Sequence, residues 1–110
     1  MENHMLIIGL ADKDSKKQEI PTSSAMNILK RLMLKQGIYG YTMLNDDKTK
    51  SNIIGGYRHE DNYFVEENSI IILLFCVENI QISNLISDAK IALNQECITD
   101  VVLNAEVKFK

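Results

Sequence analysis

The sequence predicts a single α+β domain of the ferredoxin-like type, a split βαβ sandwich with an antiparallel sheet, two helices on one face and an elaborated central hairpin. Three observations carry this reading. Apolar residues recur at helical spacing in two separate segments, and the other apolar runs have strand length. The segments alternate as strand, helix, strands, helix, strand. A chain of 110 residues is also too short for two separate cores, so one domain over 1–110 is expected.

Met5 to Ala11 reads as a short apolar strand, followed by the charged loop Asp12 to Glu19. Pro21, Thr22, Ser23 and Ser24 are helix-start chemistry, because proline presets φ and hydroxyls accept from first-turn amides. The first helix runs to Gln36 with Ala25, Ile28, Leu29, Leu32 and Met33 on one face. Gly37 stops it by tolerating the left-handed conformation, and Ile38 packs back on the last turn. Ile38 to Leu44 resumes as a strand, Asn45 to Asn52 is a polar turn, and Ile53 to His59 reads as a return strand, open to a bulge at Gly55 and Gly56.

After Tyr63 to Val65 and the polar step Glu66 to Asn68, the run Ile70 to Val77 is apolar on both faces. A central strand covered on each side has that pattern. Helices on one face leave the second face to be covered by another subunit, so a homo-oligomer is expected. The second helix is placed from Ser83, with Ile82, Leu85, Ile86, Ala89 and Leu93 on one stripe, and Val101 to Leu103 and Val107 to Phe109 give closing strands. Leu34 and Ile91 fall opposite their helices' stripes and are candidate subunit contacts.

Composition narrows the function. The chain is 45% hydrophobic and 25% charged, and 12 basic against 15 acidic residues leave a net charge of −3. That field is too weak for general nucleic-acid binding or for imitating DNA. The longest apolar run is far short of a membrane span, and Met1 to Met5 lacks the pattern of a secretory leader, so no membrane association and a cytoplasmic location are expected. Cys76 and Cys97 fit buried, reduced thiols.

The segment 37–69 holds five of the seven aromatics, four of the five glycines and His59. Aromatic faces beside close-approach backbone are the material of a ligand pocket or a partner surface. His59 beside Glu60 and Asp61 has groups for acid–base chemistry or a divalent ion, and Arg58 matches phosphate oxygens. Alternation puts Tyr57 and His59 on one face of their strand and Arg58 on the other. No phosphate loop, paired Cys-x-x-Cys or nucleophile elbow occurs, so no catalytic residue, metal ligand or cofactor is assigned. Glu66, Glu67 and Ser69 before the central strand, and Gln95 and Glu96 after the second helix, can approach one another in this topology.

The segments Ile8-Gly9-Leu10 with Asp12-Lys13-Asp14, Lys17-Gln18-Glu19-Ile20, Gly40-Tyr41-Thr42, Gly56-Tyr57, Glu67-Asn68-Ser69 and Asn94-Gln95-Glu96 together resemble a family of small uncharacterised proteins frequent in bacteriophages and prophages. The resemblance implies a phage context and directs attention to Gln18, Glu19, Thr42, Tyr57, Glu67, Ser69, Gln95 and Glu96. Three functions then compete. The first is a non-enzymatic anti-defence factor that sequesters a small nucleotide or other anionic ligand at an oligomer interface, with Thr42, Tyr57, Arg58, His59, Glu67, Ser69, Gln95 and Glu96 as ligand-binding residues. The second is an inhibitor of a host protein that docks through the central hairpin or a sheet edge. The third is a small metal-dependent nuclease or hydrolase using Asp12 or Asp14 with His59, Glu60 and Asp61.

Overall fold

The computed structural model describes residues 1–44, 53–58 and 64–110, the side chains of residues 57, 58, 64 and 65 excepted. Along the chain run β1 (Glu2–Gly9), α1 (Thr22–Lys35), β2 (Thr42–Leu44), β3 (Ile54–Arg58), β4 (Phe64–Val77), α2 (Asn79–Ala92) and β5 (Thr99–Val102). The antiparallel sheet has the order β2-β4-β1-β5, with β3 also paired to β4. This is the ferredoxin-like α+β arrangement.

The two most apolar strands lie side by side at the centre. Their cross-strand pairs Leu6–Ile72 and Ile8–Ile70 are fully buried beneath the helices, which add Ala25, Leu29 and Met33 from α1 and Ile82, Leu85 and Ala89 from α2. Each such aliphatic side chain contributes about 1.5–3 kcal/mol on burial, so this layer fixes the register. The alternate residues Met5, Ile7, Ile71, Leu73 and Phe75 point to the other face and keep partial contact with solvent. Leu44, which pairs with Ile71, is 43% exposed. One face of the sheet is therefore closed and the other is apolar and half open.

Both helices end alike. At α1, Ile38 N–H donates to the Met33 carbonyl (2.9 Å) and Gly37 N–H to that of Leu34 (3.0 Å), with Gly37 at φ 73°. At α2, Gln95 N–H donates to the Lys90 carbonyl (2.9 Å) and Asn94 N–H to that of Ile91 (3.2 Å), with Asn94 at φ 49°. This double closure needs a left-handed residue, and asparagine takes that role at α2 where glycine does at α1.

Several expectations are corrected. β1 starts at Glu2 and ends at Gly9, not Met5 to Ala11, because buried His4 is satisfied by Asp100 Oδ1 (2.6 Å from Nδ1) and Glu2 Oε1 (3.3 Å from Nε2). No side chain caps α1, and Thr22 is buried in its first turn instead. β3 is not a return strand to β2: β2 and β3 both run antiparallel to β4, against Ile71–Leu73 and Phe64–Asn68 respectively. Gly55 and Gly56 pair in unbroken register, without a bulge. The polar step Glu66 to Asn68 is part of β4.

α2 begins at Asn79, where Glu78 N–H donates to Gln81 Oε1 at 2.9 Å, so a Glu-x-x-Gln start replaces the expected serine. Both cysteines are exposed and free, not buried: Cys76 sits at φ 57° in the irregular step where three residues of β4 span two of β1, between the His4–Leu74 and Glu2–Val77 pairs, and Val77 returns to the core. The segment after Val102 is not a strand of this sheet. Leu34 and Ile91 are 62% and 81% exposed, as their positions opposite the stripes imply. Among the described residues no helix is long and apolar enough to cross a membrane.

Candidate functional site

The end of β1 delivers the chain into a loop that β4 and the end of α2 hold from two sides. Gly9 pairs with Ser69, and by alternation Ser69 and Glu67 share the half-open face with Ile71 and Leu73. The Glu67 carboxylate folds back over Gly9 and fills the space that a β-carbon there would need. Glu67 Oε2 accepts from Ala11 N–H at 2.8 Å. Gln95 Nε2 donates to the Ala11 carbonyl at 2.8 Å and to that of Leu93 at 3.1 Å. Donor and acceptor of one residue are thus claimed by side chains 56 and 84 positions away in sequence. Both side chains are buried, Glu67 to 6% and Gln95 to 7% exposure, which makes this arrangement costly to disturb.

A second layer of bonds shapes the loop. Leu10 N–H donates to the Asn68 carbonyl (2.9 Å), and Asn68 Nδ2 and N–H donate to Glu19 Oε2 at 2.6 and 3.2 Å. The left-handed Asn94 directs Nδ2 to Asp12 Oδ1 (2.6 Å) and Asp14 Oδ2 (3.1 Å), while Asp12 Oδ2 accepts from the amides of Ser15 (2.9 Å) and Asp14 (3.0 Å). The Asn94 bond first and the Ser15 amide second hold the Asp12 carboxyl below the ordinary aspartate value, against an opposing effect of burial that is smaller than either, with the Asp14 amide adding a lesser contribution. A lowered folded pKa gives a stabilising contribution that is complete at neutral pH and is lost as pH falls through the folded value, below about pH 4. Asn94→Ala should move the Asp12 titration upward in a pH series followed by carboxyl NMR, and an unmoved midpoint would refute the assigned cause.

The structure brings together Glu67, Ser69 and Gln95 among the predicted ligand-binding residues. Ser69 is buried to 1%, and its Oγ donates to the Glu67 carbonyl at 3.4 Å. Glu96 is adjacent in sequence but exposed. Thr42 is exposed and pairs with Leu73, six positions and about 20 Å along β4 from Glu67, so it does not join this group. The backbone of Tyr57 pairs with Val65, two positions from the Gly55–Glu67 pair, and Arg58 pairs with Phe64. His59, and with it Glu60 and Asp61 of the acid–base reading, lies outside the described residues.

Gly9, Ala11 and Asn68 are the participants that residue chemistry alone does not single out, while Asn94 is legible only as the end of the second helix. An asparagine directly after a helical stripe is a left-handed stop, and that signal was available for Asn94. Ala11 acts through its backbone and leaves no signal. Among the described residues no group of three metal-binding side chains occurs.

The fold places the chain in a recognisable structural class. A phage SAM lyase in complex with S-methyl-5'-thioadenosine matches with a TM-score of 0.59 at 14% identity, over 97% of this chain and 92% of that one. CutA from the bacterium Xylella fastidiosa matches with a TM-score of 0.59 at 12% identity, over 99% and 88%. The periplasmic divalent cation tolerance protein CutA from Archaeoglobus fulgidus follows with 0.56 at 13%, over 96% and 88%. At these identities the likeness is one of fold. No family model matches the chain, and no curated protein matches it.

Proposed function

We propose that this protein binds a small adenine-nucleoside ligand of the thioether or sulfonium class at the Glu67 end of its half-open sheet face. The observation that carries this reading is the buried Glu67 carboxylate, packed on Gly9 and bonded to the Ala11 amide, whose carbonyl Gln95 holds. A carboxylate only accepts hydrogen bonds, so it suits ribose hydroxyls or a positive sulfonium centre and repels phosphate. The like-folded lyase that carries S-methyl-5'-thioadenosine supports the same ligand class. In this reading a second copy of the chain covers the apolar face, which places a subunit boundary beside the ligand. A phage origin and an anti-defence role through removal of such a ligand complete the proposal.

A second reading is that the bound sulfonium is broken. Attack of the substrate's own carboxylate oxygen on the aminobutyrate γ-carbon of S-adenosylmethionine would break the carbon–sulfur bond, leave its electron pair on the sulfur of S-methyl-5'-thioadenosine and close the remaining fragment to a lactone, and two phage SAM lyase structures share this fold. Calorimetric titration with S-adenosylmethionine and with S-methyl-5'-thioadenosine tests binding, and chromatography of the incubated mixture tests cleavage. Saturable binding of either compound is expected. Heats no larger than dilution at millimolar ligand would overturn the nucleoside reading and favour the protein-interaction function. Release of the thioether nucleoside would make the protein a lyase instead of a sequestering factor.

A further inference from the structure

The residues after β5 have the sequence of a strand and pair with no strand among the described residues. In 105–110, Ala105, Val107 and Phe109 alternate with Glu106, Lys108 and Lys110. Lys108 Nζ lies 3.5 Å from Glu106 Oε1, so the two charged side chains of this pattern pair with each other at the solvent. Phe109 is 77% exposed. A large aromatic on an unpaired, strand-patterned segment is incompletely accounted for within one copy.

The segment cannot easily return to its own sheet. Leu103 N–H donates to the Asn3 carbonyl (2.8 Å), and Asn3 Nδ2 donates to the carbonyls of Ala105 (3.1 Å) and Leu103 (3.5 Å), so its departure beside β1 is fixed through Ala105. The opposite edge, β2, lies beyond β1 and β4, and reaching it would require the segment to turn across the sheet. At that edge β2 has β4 on one side and no described strand on the other, and it carries half-exposed Leu44 toward the apolar face. An edge without a partner among the described residues and an apolar face are what a donated strand needs: main-chain bonds from the first and a bed for alternate side chains from the second.

We propose that 106–110 is a strand donated to a second copy of this chain, pairing along the β2 edge of that copy and laying Val107 and Phe109 on its apolar face beside Leu44. The inference rests on the reading that the chain self-associates, and names the segment that joins the copies. Glu106, Lys108 and Lys110 then stay in solvent and keep the unpaired segment from aggregating before assembly.

Sedimentation equilibrium of the full chain without ligand, at about 1–100 μM, compares the wild type with Val107→Asp/Phe109→Asp and, on the receiving side, with Leu44→Lys. The wild type is expected to form a defined multimer, and each variant to associate at least about tenfold more weakly. Circular dichroism confirms that the monomers remain folded, and either variant alone suffices should the other misfold. A monomeric wild type would overturn self-association itself. A multimeric wild type whose state neither variant alters would overturn strand donation while leaving self-association standing.

Discussion

Gly9→Ala is expected to destabilise the protein by about 2–4 kcal/mol, measured by urea unfolding. Gly9 has no positive φ, so the cost is one of space and not of backbone conformation. The new methyl group would occupy the position of the Glu67 carboxylate. A flexible glutamate at a surface would simply swing away. Glu67 is buried, and its Oε2 holds the Ala11 amide, so displacement breaks that bond and leaves donor and acceptor out of water together. Combined with Glu67→Ala, the same substitution should cost less than about 1 kcal/mol, because the colliding group is gone. Equal penalties in the two backgrounds would show that the packing of Gly9 against Glu67 is not the constraint.

The second large effect is on binding. Glu67→Gln keeps an oxygen to accept from Ala11 N–H and should change stability by less than about 1 kcal/mol. It removes the charge, and affinity for S-adenosylmethionine should fall about 10- to 100-fold, equivalent to about 1.4–2.7 kcal/mol. The neutral thioether nucleoside should lose less, since it never used the charge. Equal losses for both ligands would move the role of Glu67 from the sulfonium to the shared ribose. Unchanged affinity for both would remove the carboxylate from the site, leaving it the structural clamp on Ala11 that the geometry already defines.

Periodicity made most of the fold legible. Ala25, Leu29 and Met33, and Ile82, Leu85 and Ala89, declare two helical stripes, and the run Ile70 to Val77 declares a central strand, because each pattern repeats with its element's own geometry. Gly37 and Ile38 declare a helix end for the same local reason. The errors came where a distant partner changes the meaning of a residue. His4 reads as a polar terminus until Asp100, 96 positions on, satisfies its ring. Ile53 to His59 reads as a return strand until the length of β4 offers it a different neighbour.

For the site, the chain alone marked Glu67, Ser69 and Gln95 as polar residues beside a strand and a helix, and it determined that no ready-made catalytic or metal motif accompanies them. Tertiary structure decided that Glu67 and Gln95 converge on Ala11, that Gly9 makes room for the carboxylate, and that Thr42 stands apart, against Leu73 farther along β4. The physical reason is range. Alternation, helical spacing and turn chemistry act over a few residues and are written in sequence order. The clamp joins positions 56 and 84 residues apart, and only the register of β1 against β4 and the left-handed stop at Asn94 bring them within hydrogen-bonding distance.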